Sequence, residues 1–128
     1  MARKKSPHLT ESELRLMEVL WSHSPATVAE VLERLPDTPP LAYSTVITTL
    51  RILETKGFVR HIKDGRAFQY EPLVARDEAR RTALRQMMHR LFEGSPELLM
   101  ATLFESGDVD RKELQRLRKL IEKAGNQP

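Results

Sequence analysis

In the first part of the chain, apolar residues recur every three or four positions in three stretches, which predicts three short amphipathic helices. The first begins at the capping box Thr10–Glu13 and ends near His23, where Ser24-Pro25 breaks the chain. The second starts behind Thr27 as N-cap and ends at the proline-rich turn region 35–40. The side chains predicted to face the core from these two helices are Leu14, Met17, Val19, Leu20, Trp21, Val28, Val31, Leu32 and Leu35.

The third helix is predicted from about Tyr43 to Lys56, and a β-hairpin follows it directly. Gly57 ends the helix as a C′ glycine. Residues 58–62 alternate as a strand, 63–66 carry the Asp-Gly hairpin signal, and 67–71 return as a second strand. The apolar face of this helix consists of Val46, Ile47, Leu50 and Leu53. A helix leading into a small hairpin is the core of a winged helix-turn-helix, which places a helix in the DNA major groove.

Beyond Val74 the pattern is helical only. It predicts a helix from Arg76 to Phe92, a second one capped by Ser95, and a last one that opens with the capping box Asp110–Glu113 and ends at Gly125. The predicted fold class is therefore mainly α with a small antiparallel β-hairpin: a winged helix-turn-helix N-terminal domain plus an α-helical C-terminal domain. The predicted ranges are a flexible basic tail at 1–8, a DNA-binding domain at 9–73 and a dimerisation domain at 74–128.

The C-terminal helices carry more apolar side chains than so small a bundle can bury. A second copy of the chain is the simplest partner, and a two-fold dimer suits a palindromic DNA site. The residues predicted to form the dimer contact are Leu98, Leu99, Leu103, Phe104, Leu114, Leu117, Leu120 and Ile121.

The charge of the chain is distributed unevenly, and this changes the picture more than its total does. The 128 residues have a net charge of only +3. Between residues 43 and 70, however, five basic residues stand against two acidic ones, whereas between 6 and 42 two basic residues stand against six acidic ones. A basic helix and hairpin on a more acidic support is typical of a surface that faces phosphates.

Several other classes of site are not supported. The chain has no cysteine, its four histidines form no i, i+4 pair, and it carries no P-loop, G-x-G-x-x-G or hydrolase motif. We therefore expect no enzyme activity, metal or cofactor. No apolar run approaches the length of a membrane span, and a cytoplasmic location is expected.

The residues predicted to contact DNA lie on the outer face of the third helix and around the hairpin turn. They are Tyr43, Ser44, Thr45, Thr48, Arg51, Arg60, Lys63 and Arg66. On the helix, Arg51 suits guanine or phosphate, and the hydroxyl residues suit phosphates and thymine methyls. On the hairpin, Arg60, Lys63 and Arg66 suit phosphates or the minor groove. The alternatives are a solvated helix face, a half-buried core tyrosine at 43, and solubilising charge on the hairpin. The basic residues Arg3, Lys4 and Lys5 could add phosphate contacts or have no specific role.

Six blocks of the chain follow one another in a recognisable order: LTESE at 9–13, MEVLW at 17–21, ATVAEVL at 26–32, AYSTV at 42–46, LETKGFV at 53–59 and GRAFQYEPLV at 65–74. Through these blocks the chain resembles the penicillinase repressor (BlaI/MecI) family of bacterial regulators. The resemblance implies a homodimeric transcriptional repressor that binds palindromic promoter DNA with TACA/TGTA-type half-sites. It also implies a protease, linked to a membrane sensor, that relieves repression by cutting the dimerisation domain.

The chain departs from the family pattern at the cleavage site. Well-known members are cut at an Asn-Phe bond, whereas the corresponding bond here is Thr102-Leu103, so cleavage at this bond stays open. A winged helix used for protein–protein contact and an activator of unrelated genes with the same fold remain as alternatives.

Overall fold

The computed structural model describes residues 8–37 and 39–126. These residues form two compact units, one reaching to Gln86 and one starting at Met87. The predicted basic tail falls on residues outside the described ranges, except for His8. The elements in chain order are α1 (Glu11–Ser22), β1 (Ala26–Thr27), α2 (Val28–Arg34), α3 (Tyr43–Lys56), β2 (Val59–Asp64), β3 (Ala67–Pro72), α4 (Arg76–Leu91), α5 (Pro96–Glu105) and α6 (Arg111–Gly125).

Side-chain caps define where α1, α2 and α6 start. At α1 the Glu13 amide donates to the Thr10 hydroxyl oxygen at 3.2 Å, and the Thr10 amide donates to the Glu13 carboxylate at 2.8 Å, as the predicted capping box requires. The start of α2 repeats this arrangement with Thr27 and Glu30, at 3.1 and 3.0 Å. At α6 only the first half of the predicted box forms, with Asp110 accepting from the backbone amide at the third helical position.

The core of the first unit joins α1, α2 and α3 to the sheet. Its buried apolar members are Leu16, Met17, Val19, Leu20, Ala26, Val31, Leu35, Val46, Leu50, Leu53, Phe58, Val59 and Tyr70. The sequence prediction differs from the structure on two helices. On α1, Leu16 is fully buried whereas Leu14 is 41% exposed. On α3, Ile47 is only partly buried and Thr49 is buried instead.

The sheet has three antiparallel strands in the order β1-β3-β2, one more than the predicted hairpin. β1 pairs Ala26 with Tyr70 and Thr27 with Gln69, so the segment before α2 is joined to the hairpin. The hairpin turn lies one residue further along than the Asp-Gly signal suggests. Its two residues follow Asp64, and Gly65 occupies the first position with φ +63°, where type II′ hairpins need a positive φ.

The second unit presents apolar side chains without burying them. Ser95 caps α5 by accepting from the Leu98 amide at 3.0 Å, yet neither α5 nor α6 contains a buried residue. Leu120 and Ile121 on α6 are 62% and 60% exposed. Among the described residues, none of the helices is long and apolar enough to cross a membrane.

Candidate nucleic-acid interface

The outer face of α3 carries small polar and basic side chains in a row. Val46, Leu50 and Leu53 bind the inner face to the core, and the 3.6-residue period turns the intervening positions outward. Ser44, Thr45, Thr48 and Arg51 are all exposed. The helix therefore offers an exposed face of the size and polarity that major-groove contact requires.

The threonine hydroxyls of α3 do not all remain free donors. The Thr48 hydroxyl donates to the Ser44 carbonyl oxygen at 3.0 Å, and the buried Thr49 hydroxyl donates to the Thr45 carbonyl oxygen at 2.7 Å. With its hydrogen engaged, Thr48 presents a methyl group and an acceptor oxygen to solvent. This chemistry matches a thymine methyl or a base amino group better than a phosphate.

A single open groove of about 390 Å³ joins α3 to the hairpin. Tyr43 and Arg51 border it from α3, and Arg66 borders it from the hairpin turn. The other lining residues are Thr27, Val28, Ala29, Ile47, Ala67, Phe68 and Tyr70. The structure thus brings together three of the eight residues predicted from sequence, with two guanidinium groups at one concave surface. Tyr43 is 51% exposed and lies outside the buried core cluster.

The predicted wing residues do not all share one face. Side chains alternate along a strand, so Val59, His61 and Lys63 lie on the face that packs towards the core, and Arg60 lies on the opposite face. Arg60 forms an ion pair with Glu71 directly across the hairpin. Lys63 is exposed, and no ion pair within the described residues engages it or Arg66.

Charged side chains behind the groove hold α3 in place. Lys56 at the end of α3 donates to the Glu13 carboxylate of α1 at 2.8 Å and to the His8 carbonyl oxygen at 3.0 Å. Burial raises the pKa of Glu13, but the hydrogen bonds from Lys56 and Thr10 outweigh it and hold that pKa below its ordinary value. Burial and the nearby Glu54 carboxylate raise the pKa of Tyr70, while Arg51 lowers it by less. The Tyr70 hydroxyl therefore stays neutral, and its side chain lines the groove without adding charge.

Sequence reasoning missed two features of this surface. Phe68, which is 50% exposed and lines the groove, was treated only as a strand residue. The second missed feature is β1, which brings Thr27 to the same groove. The T-x-x-E spacing from Thr27 to Glu30 would have predicted the capping box that starts α2 at this point. No group of metal-ligating side chains occurs in the described part of the chain.

Comparison with known proteins places this surface in context. The sequence profile described as penicillinase repressor matches residues 9–123. The chain is 28% identical to the penicillinase repressor of Bacillus licheniformis over 123 residues, which cover 96% of each chain. It is 23% identical to the methicillin resistance regulatory protein MecI of Staphylococcus aureus over 119 residues, 93% of this chain and 97% of the relative. A 75-residue match to the transcriptional regulator BlaI of Mycobacterium tuberculosis is 43% identical and covers 58% of this chain and 54% of that one.

A solved structure supports the same assignment for the first unit. The solution structure of the DNA-binding domain of the repressor BlaI aligns with a TM-score of 0.52 and 36% identity, covering 59% of this chain and 93% of that one. The winged-helix fold predicted from sequence is thereby confirmed. The chain belongs to the penicillinase repressor family of DNA-binding transcriptional repressors.

Proposed function

We propose that the chain represses transcription as a homodimer that binds a palindromic operator with TACA/TGTA-type half-sites and blocks polymerase, in the cytoplasm where the promoter lies. The observation that carries the proposal is the groove that Arg51 of α3 and Arg66 of the hairpin turn both line. A helix face with one long cation and several short polar groups reads base edges, while a cation on an adjacent turn holds the phosphate backbone.

Each predicted DNA-binding residue has a distinct role in this proposal. Arg51 contacts a base or phosphate in the major groove of the DNA. Ser44, Thr45 and Thr48 face the same major groove. Tyr43 offers its hydroxyl to a phosphate at the start of α3. Lys63 and Arg66 hold the backbone beside the wing, and Arg60 joins them by exchanging Glu71 for a phosphate, because both are anionic partners.

The dimer half of the proposal rests on the exposed apolar side chains of α5 and α6. Leu98, Phe104 and Leu114 are exposed, and Leu99, Leu103 and Leu117 are only partly buried. Burying a large apolar side chain stabilises an assembly by about 1.5–3 kcal/mol. Together with Leu120 and Ile121 these positions offer a surface that a second copy can cover.

The test is fluorescence anisotropy of the full chain with a labelled duplex that carries two inverted half-sites, measured beside a scrambled duplex of equal length. We expect preferential binding to the inverted repeat, with affinity that falls steeply as salt rises. Equal binding to both duplexes would overturn sequence-specific recognition. Absence of any salt-dependent binding would favour the protein–protein module, and transcription that rises when the chain binds would identify an activator.

Relief of repression by proteolysis is the finer part of the proposal. The Thr102-Leu103 bond lies inside α5, and all of α6 follows it, so a cut there separates α6 from the DNA-binding unit. A protease linked to a membrane sensor must first unwind this helix and release the α5 side chains that the proposed dimer covers. Mass spectrometry of the chain from cells challenged with a β-lactam tests the step. Intact chain under derepressing conditions would exclude it.

A further inference from the structure

A contact between α3 and the hairpin lies beside the groove and was not predicted from sequence. Glu54, in the last turn of α3, accepts hydrogen bonds from His61 Nδ1, with N–O distances of 2.8 Å to one carboxylate oxygen and 2.6 Å to the other. The backbone amide of His61 also donates to Glu54, at 3.3 Å. Because a carboxylate only accepts, Nδ1 carries the hydrogen. One α3 side chain therefore holds both the ring and the backbone of a wing residue.

The His61 ring is also fixed from the hairpin side. Its edge meets the Phe68 ring with a centroid distance of 4.8 Å, and the Tyr70 ring lies 5.9 Å away. Tyr70 is also the residue paired with His61 across the strands. Held between Glu54 and two aromatic rings, His61 links the end of α3 to the strand that leads to Lys63 and the turn.

We infer that Glu54 is a positioning residue that ties the wing to the recognition helix through His61, and that protonation of His61 tightens this tie and raises operator affinity. The inference rests on the proposed function and deepens it. DNA that contacts α3 and the turn together selects molecules in which the wing is docked, so apparent affinity scales with the docked fraction. The tie raises that fraction without itself touching DNA.

The direction of the pH effect follows from the groups that face His61. From α3, Glu54 faces the ring, and Arg51 lies one turn earlier on the same helix. From β3, Tyr70 faces it, and on β2, the strand of His61, Lys63 lies two residues further along. The neutral ring still donates through Nδ1, but the charged ring makes a charge-assisted bond to Glu54, which is stronger. Affinity should therefore rise as pH falls.

The experiment measures operator affinity of the full chain between pH 8 and pH 5.5, using the inverted-repeat duplex at constant salt. Because the pair is partly exposed, we expect the tie to contribute a roughly two- to fivefold rise in affinity over this range. Glu54→Gln removes the charge but keeps an acceptor for the His61 amide, and His61→Asn removes the titrating ring. Both variants should lose this contribution, and any pH dependence from the other histidines should remain in every protein.

Glu33→Gln is the matched control. It removes an equal charge from an exposed position of α2 that does not line the groove, so the pH profile should stay that of the wild type. If Glu54→Gln keeps the wild-type profile, the His61 proton acts on DNA directly and the tie is refuted. If His61→Asn keeps it, the titrating group lies elsewhere. A wild-type chain that binds no duplex would instead refute the proposed function.

Discussion

At the residue scale, Arg51 is the side chain on which we expect base reading by α3 to depend. It is the one long cation in the outer row of that helix and it borders the groove. Replacing it with alanine should cost about 1–3 kcal/mol of operator binding and relax base preference at one position of each half-site. Affinity measured against duplexes with single substitutions checks both effects. Arg118→Ala, which removes an equal charge from α6, should leave base preference intact.

Glu13 and Glu30 occupy the same position in the capping boxes of α1 and α2, but among the described residues only Glu13 forms an ion pair. The Glu13 side chain is 5% exposed and paired with Lys56. Glu30 is exposed and caps α2, and no ion pair in the described part of the chain engages it. Glutamine can still close a capping box. Glu13→Gln should therefore remove only the charge interaction and lower the free energy of unfolding by about 1–2 kcal/mol, while Glu30→Gln should lower it by less. Urea denaturation at pH 7 measures both variants.

The pH dependence of stability follows from the same carboxyl. Because the pKa of Glu13 in the folded chain lies below its ordinary value of 4.5, its contribution is fully present above about that pH and is lost as pH falls through the lowered pKa. The unfolding midpoint in urea should therefore drop more between pH 5 and pH 3 for the wild type than for Glu13→Gln. Parallel curves for the two proteins would contradict the charged pairing with Lys56.

At the element scale, the hairpin depends on one glycine. Gly65 has φ +63°, and a Cβ added there would meet no atom within 4 Å. The cost of Gly65→Ala is therefore backbone strain alone, about 1–2 kcal/mol. Thermal unfolding should show this loss, whereas Gly125→Ala, at a helical glycine with equally open surroundings, should not destabilise the chain. Equal stability of both variants would mean that the turn adopts another conformation.

The elements that sequence predicts best are those specified by local signals. The bounds of α3 agree because its apolar period and Gly57 are both local. β1 was missed because its two residues form a strand only by pairing with Tyr70 and Gln69, more than forty positions away. The contact between Glu54 and His61 was missed for the same reason, since a side-chain contact between elements leaves no periodic pattern in the sequence.

At the scale of the whole molecule, the proposed homodimer would couple the two units through valency. One winged helix offers few phosphate contacts, and a dimer would make the second half-site contact intramolecular, so its affinity would exceed that of one head without any new contact at the groove. On this proposal, the groove and the apolar faces of α5 and α6 contribute to the same binding constant. Loss of either should weaken operator binding, but only loss of the apolar contact should change the mass of the particle.

Leu120 provides the sharpest test of the apolar contact. Because it is 62% exposed in the chain by itself, Leu120→Glu should barely affect folding of one copy, yet it places a charge in a surface that a second copy would cover. For Leu120→Glu we expect sedimentation to show monomers and operator binding to be weak. The double variant Leu117→Glu/Leu120→Glu should be monomeric at every protein concentration tested. Gln115→Glu, which adds the same charge at an exposed polar position of α6, should stay dimeric. Dimers of unchanged stability in the double variant would show that the chain associates through another surface, because two buried carboxylates without partners cost more than such an interface can offset.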